Sequence, residues 1–178
     1  MSDIETGRLV LRLLSAEALA ATVARDHALL EALLGLAVPE EWFEESWVAE
    51  LRLEQVRADP AYLPWSIRAI ALRATGEIVG AINCHNRPME FVALGEKSIA
   101  VELGYSIYGP WQRRGIAIET IRALTAWAGG LGVQGMVLSI SPENEASLAL
   151  ARKLGAIKIG SHIDEKDGPE DVYFARFG

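Results

Sequence analysis

Residues 105–120 read Tyr-Ser-Ile-Tyr-Gly-Pro-Trp-Gln-Arg-Arg-Gly-Ile-Ala-Ile-Glu-Thr. Apolar residues alternate up to Ile107, Gly109-Pro110 breaks the pattern, and from Gly115 onward apolar residues recur at helical spacing. The stretch therefore predicts a strand, a short loop and an amphipathic helix, in that order. Its loop, Gln112, Arg113, Arg114, Gly115, Ile116 and Ala117, has the makings of an anion site. A helix N-terminus presents unpaired N–H groups and the positive end of its dipole, and small residues at 115 and 117 let a pyrophosphate reach the main chain. Arg113 and Arg114 add charge at the same place.

Upstream, Ile99, Val101, Leu103, Tyr105 and Ile107 alternate with Ala100, Glu102, Gly104 and Ser106, which predicts a central strand with one apolar and one small or polar face. Gly104 within it suggests a bulge or a close backbone approach. Downstream, Ile121, Leu124, Ala128 and Leu131 form one face of the helix. Gly130-x-Gly132-x-x-Gly135 spells a dinucleotide fingerprint, but that motif must follow a strand and open a helix. Here it follows a helix and leads into a strand over 136–140, so it reads as a loop. Asn144 suits the N-cap of a short helix that buries Leu150, Ala151 and Leu154 and stops at Gly155. Ile157–Ile163 and Val172–Phe177 close the chain as two strands around the turn Asp167-Gly168-Pro169.

Toward the N-terminus, residues 8–13 alternate as a first strand, and Ser15 caps an alanine- and leucine-rich helix that runs to Leu34 and ends near Gly35, with Leu14 and Leu19 as its staple. After Pro39, Phe43, Trp47 and Leu51 recur every fourth residue, so a second helix should bury that stripe. Residues 63–72 and 78–84 read as a strand hairpin, and 87–97, with Pro88 and Gly95, as an irregular loop. Cys84 and His85 are neighbours, but adjacent strand residues point to opposite faces, which argues against a thiol–imidazole pair.

At 178 residues and 51% hydrophobic, the chain fits a single domain over 1–178 with a sizeable core. A net charge of −7 repels nucleic acid and favours cationic partners such as amines. One cysteine excludes an intrachain disulfide, and no leader or membrane-spanning apolar run is evident, so a soluble cytoplasmic protein is expected. His27, His85 and His162 stand far apart without zinc-ligand spacing, and no metal is expected.

Gln112-x-x-Gly115-x-Ala117, with Glu102-Leu103-Gly104-Tyr105 before it and Asn144-x-x-Ser147 and Lys153-Leu154-Gly155 after it, resembles the acetyl-CoA signature of the GNAT N-acetyltransferases. Within that superfamily the chain is most similar to the RimJ/RimL-type branch that acetylates ribosomal-protein N-termini, over roughly Arg8 to Phe177. The resemblance implies an α/β (α+β) fold: a mixed, mostly antiparallel twisted sheet of about six to seven strands, about four flanking helices and a splayed central strand pair. It implies acetyl-CoA as co-substrate and a primary amine as acceptor, with direct attack between them. Backbone N–H groups of the 112–117 loop would hold the phosphates, with Thr120 one turn further in. A main-chain N–H near Ile107 would meet the thioester oxygen, and Asn144 and Ser147 would meet the pantetheine arm.

For catalysis the resemblance points to Glu102 as the base, although the residue reads equally as a half-exposed carboxylate paired with a basic neighbour or steering the substrate ammonium. His85 is the rival base, because imidazole ordinarily titrates near ~6.5. Many relatives carry a tyrosine acid where this chain has Ala151, which leaves Ser147 as proton donor or as a plain cap hydroxyl. Trp42, Phe43 and His85 are candidates for the acceptor side, Trp42 and Phe43 reading also as core. Glu119 and Arg152 are assigned to structure, with a phosphate contact also open to Arg152. A homodimer is common among relatives. A different class, a module that binds acyl-CoA without turnover as a sensor or scaffold, stays open because of the missing tyrosine.

Overall fold

The computed structural model describes residues 3–93, 95–164 and 168–177, so Asp167 of the expected turn lies outside the described residues. The chain divides into two compact units. One takes residues up to Cys84 and returns for Tyr105–Thr120; the other takes His85–Gly104 and then Ile121 onward.

In the first unit β1 (Ile4–Glu5), β2 (Leu9–Leu13), β3 (Arg68–Leu72) and β4 (Ile78–Cys84) pair in succession, all antiparallel. Leu9 and Leu11, two apart and hence on one face, are both fully buried. The single helix expected up to Leu34 is two, α1 (Ala16–Val23) and α2 (His27–Leu34). Arg25 adopts a left-handed φ of 53° between them, and the Asp26 carboxylate accepts from Leu29 N–H at 3.0 Å to cap the second. Ser15 caps α1 through Ala18 N–H at 3.1 Å, Leu14 and Leu19 are buried beside it, and Gly35 ends α2 at a φ of 65°.

The stripe expected to be buried beyond Pro39 is corrected. Glu40–Phe43 forms a separate 3-10 turn and α3 (Ser46–Ala58) starts only after it, so Phe43 is not on the same helix as Trp47 and Leu51. Trp47 and Leu51 are 44% and 41% exposed, and the buried side of α3 is Ala49, Arg52, Leu53 and Val56. Arg52 is tolerated there because it donates to Asn83 Oδ1 at 3.0 Å and Gln55 Oε1 at 2.8 Å. The strand expected from Leu63 starts only at Arg68. Pro60–Trp65 is a 3-10 segment whose first turn is held by Asp59 accepting from Ala61 N–H, and the φ of its two prolines suits that geometry. The Tyr62 hydroxyl donates to the Cys84 carbonyl.

The last residues of the long strand β6 (Glu96–Ile107) lie in this first unit against β4. Tyr108 N–H donates to Val79 O at 3.0 Å, and a Cβ at Gly80 would sit 2.2 Å from the Ser106 carbonyl oxygen. A 3-10 turn at Gly109–Trp111 then leads to α4 (Ile116–Gly129), whose first turn completes this unit.

The second unit opens with a correction. The irregular stretch expected at 87–97 is the hairpin of β5 (Met89–Ala93) with the start of β6, in register Met89↔Ala100 to Ala93↔Glu96. Pro88 precedes it and Gly95, at a φ of 79°, makes its turn. Met89 and Val92 on β5 are exposed at 49% and 62%, which removes the alternation by which a strand is recognised. Beyond β6 come β7 (Gly135–Ile140), parallel to it, then β9 (Gly168–Arg176) antiparallel to β7, and β8 (Ile157–Asp164) antiparallel to β9. The central strand is not cleanly two-faced. Ile99 is 37% exposed, while Ala100 is buried with Ala93, Val137 and Phe174.

Helix α4 buries Ile121, Leu124 and Ala128, but Leu131 lies past its end and is 59% exposed. The three-glycine loop does run from helix to strand, and its last glycine has a packing reason: a Cβ at Gly135 would meet the Phe174 ring at 2.6 Å. Helix α5 (Glu145–Lys153) is capped by Asn144, whose Oδ1 accepts from Ser147 N–H at 3.0 Å, and the chain turns away at Gly155 with a φ of 72°. The described residues hold nine strands and five α-helices, more than expected because β1 and β5 were unforeseen and the N-terminal helix is broken. The class is as expected: mixed α/β, with mostly antiparallel strand pairs.

Candidate functional site

The anion loop belongs to the first unit. Arg113 and Gly115 both take left-handed φ, 60° and 77°, which folds 112–115 tightly and delivers the chain into α4. Only Gly suits such a conformation freely, so a bulky, branched-free Arg at 113 carries some strain. The first helical bond after the loop is Glu119 N–H to Gly115 O at 3.2 Å. The N–H groups of Ile116, Ala117 and Ile118 are thus in the first turn, where a helix has no partners of its own to offer. Residues 112–115 are exposed and Ala117 is half-buried, while Ile116 is buried.

Several side chains here shape the loop. Gln112 Nε2 donates to Ile107 O at 2.9 Å, and the Arg114 guanidinium lies 4.8 Å from the Trp111 ring centroid. Arg8 donates to the Arg114 carbonyl at 3.2 Å and clasps Glu119 at 2.6 and 2.7 Å, and the Thr6 hydroxyl donates to Glu119 at 2.6 Å. Partial burial alone would raise the Glu119 carboxyl, but the hydrogen bonds from Thr6 and Arg8 hold it below its ordinary value. Thr120 is wholly buried, with no hydrogen-bond partner for its hydroxyl among the described residues.

Trp42 and Phe43, in the same unit, are inside the core at 6% and 2% exposure. Trp42 donates its indole N–H to Thr22 Oγ1 at 3.1 Å, and the Phe43 ring lies under the Arg25 guanidinium, 5.1 Å away. Trp47 is the aromatic that this segment leaves open to solvent. Burial pushes the Tyr108 phenol up, and the carboxylates of Glu45, Glu41 and Glu44 push it further.

In the second unit the structure brings Glu102 and His85 together. His85 Nδ1 is 3.5 Å from Glu102 Oε1, and the same oxygen accepts from the Ser139 hydroxyl at 2.8 Å. Main-chain bonds hold the pair in place: His85 N–H donates to Glu102 O at 2.8 Å, and Glu102 N–H donates to Asn86 Oδ1 at 3.0 Å. The His85 hydrogen bond first, then that of Ser139 and the charges of His85 and His162, outweigh burial and keep the Glu102 carboxyl below the usual glutamate range. Cys84 stays out of this arrangement. It is buried, and burial pushes its thiol up to about 12.

The parallel ladder between β6 and β7 is short, pairing Ala100 with Gly135, Val101 with Met136 and Glu102 with Val137. Glu102 sits at the last of these pairs, and both strands run on beyond it. Ser147 is half-buried on the first turn of α5, and Ala151 is fully buried one turn later. Neither Ser139 nor Asn86 was anticipated. Ser139 is two residues past Val137, the register partner of Glu102, so only strand pairing could have found it. The same holds for His162, Asp164 and Glu170, whose ligand-type atoms lie within 4.8 Å of one another on the β8–β9 hairpin because His162 pairs with Glu170 across it.

No helix among the described residues is long and apolar enough to cross a membrane. A comparison with curated proteins found no significant match. Similar solved structures include an acetyltransferase from Agrobacterium tumefaciens str. C58, 24% identical, covering 98% of this chain and 94% of that one, TM-score 0.60. A ribosomal-protein-S5-alanine acetyltransferase from Vibrio fischeri is 18% identical, covering 99% and 97%, TM-score 0.65. RimL, a ribosomal L7/L12 α-N-protein acetyltransferase solved in complex with coenzyme A, is 17% identical, covering 99% and 98%, TM-score 0.62. At these identities the likeness is one of fold. The family model of the acetyltransferase (GNAT) domain matches residues 8–157, and with most of its length so matched the chain belongs to the GNAT acetyltransferase family.

Proposed function

We propose that this chain transfers the acetyl group of acetyl-CoA to a primary amine by direct attack. The observation that carries the reading is the 112–117 loop: two left-handed residues, an exposed surface and a helical first turn whose N–H groups have no helical partners. A pyrophosphate needs such a place. In this reading the backbone of Gly115, Ile116 and Ala117 grips it, Arg113 and Arg114 supply charge, and Gln112 holds the loop to Ile107. Thr120 lies beneath as a buried polar floor. Asn144 spends its side-chain oxygen on the helix cap, which leaves its amide N–H groups for the pantetheine arm, and Ser147 protonates the departing thiolate.

Glu102 and His85 serve deprotonation of the amine. The acceptor is cationic before it reacts, which suits a chain of net charge −7. A protein N-terminus is favoured by the fold shared with ribosomal-protein acetyltransferases. The test is release of free thiol from acetyl-CoA in the presence of a peptide N-terminus, an amino acid, a polyamine or an aminoglycoside. Amine-dependent release is expected. A thioester that binds but survives with all four would make the chain a non-catalytic acyl-CoA module, the reading that buried Ala151 favours by offering no hydroxyl.

A further inference from the structure

Resting on the transfer reading above, the geometry points to His85 as the group that takes the amine proton, with Glu102 as the positioning residue that orients it. Glu102 Oε1 is committed twice, to the Ser139 hydroxyl at 2.8 Å and to His85 Nδ1 at 3.5 Å. A carboxylate facing Nδ1 keeps the proton on that nitrogen and leaves Nε2 with its lone pair free to accept. The imidazole is also the more open group, its side chain 42% exposed against 28% for Glu102. The bonds from His85 N–H to Glu102 O and from Glu102 N–H to Asn86 Oδ1 fix the ring's position along β6.

The alternative asks Glu102 itself to take the proton, and its surroundings oppose that. Hydrogen bonds from His85 and Ser139 stabilise the ionised carboxylate, which makes it a weak base. The charged groups around the pair are Glu102 from β6 and His162 from β8, whose charge is felt at Glu102; Ser139 from β7 adds its hydroxyl. The step balances as follows. The amine nitrogen attacks the thioester carbonyl carbon, the C–N bond forms, and the C–S bond breaks with its electron pair leaving on sulfur. The proton lost from nitrogen moves to His85 Nε2 and from there to water, while the thiolate takes a proton from Ser147 or solvent.

The experiment compares kcat/KM against pH, from about pH 6 to about pH 9, for wild type, H85Q and E102Q with the best acceptor of the four classes, so that the acceptor's own ionisation is common to all. Calorimetry with coenzyme A confirms that each variant is folded and binds. H85Q should lose about 100-fold or more and the histidine-dependent part of the acidic limb. E102Q should keep that limb but move it to lower pH, because an imidazolium without its anionic partner gives up its proton more readily. A coenzyme-binding H85Q with the wild-type profile overturns the assignment, as does loss of the limb in E102Q alone. Wild type that releases no thiol with any amine overturns the transfer reading itself and this assignment with it, an outcome distinct from the other two.

Discussion

The Cβ that Gly80 lacks would stand 2.2 Å from the carbonyl oxygen of Ser106. No rotamer relieves such a contact, because both atoms belong to, or are fixed by, the backbone. G80A must therefore push β4 from the end of β6, next to the peptide where Tyr108 N–H meets Val79 O. A loss of about 1–3 kcal/mol in urea unfolding is expected, and unchanged stability would mean that the two strands can part freely here.

Ala117 is half-buried in the first turn of α4. A117E places a carboxylate and added bulk where the reading above places a pyrophosphate. Calorimetry should register no coenzyme A binding with the fold intact by circular dichroism, whereas retained affinity would locate the phosphates elsewhere.

Ser147 contributes its N–H, not its hydroxyl, to the Asn144 cap. S147A should therefore keep the helix and its affinity for coenzyme A. If the hydroxyl protonates the thiolate, kcat falls on the order of 100-fold with KM little changed; a wild-type kcat would reduce Ser147 to a helix residue.

The Glu102 carboxyl is held below its unfolded value, so the ionised form stabilises the native state. That contribution is fully present above the ordinary glutamate range near ~4.3 and is lost as pH falls through the lower folded value. Wild type should thus exceed E102Q in stability at neutral pH, with the gap closing in acid. A gap that widens on acidification would contradict the sign.

With its thiol pushed up to about 12 and its side chain buried, Cys84 should resist alkylation in the native protein. At pH 8 only on the order of one thiol in 10⁴ would be ionised. Labelling with iodoacetamide should follow unfolding, and rapid native labelling would show the strand end to be open.

What could be read from the chain alone was local. Ser15, Gly35, Asn144 and Gly155 mark helix ends through their own side chains or φ, so their roles survive any tertiary setting. The loop at 112–117 and the false dinucleotide motif at 130–135 were legible for the same reason. The failures came where neighbours in space decide. Arg25 breaks a helix that its composition would continue, and α3 turns Arg52 rather than Trp47 inward because Asn83 awaits it. Glu102 and His85 were each singled out as rival bases, but their pairing is a product of register, as is Ser139 beneath them.

The interleaving of the two units has a consequence for synthesis. A ribosome delivers Met1–Cys84 first, yet the unit it belongs to also needs Tyr105–Thr120, and the other unit's His85–Gly104 must emerge in between. That segment includes Glu102 and His85, whose partner Ser139 is translated later still. Nascent chains stalled before β7 should therefore expose the hairpin of Met89 and Val92 without its neighbouring strands, making this the interval in which a chaperone matters most.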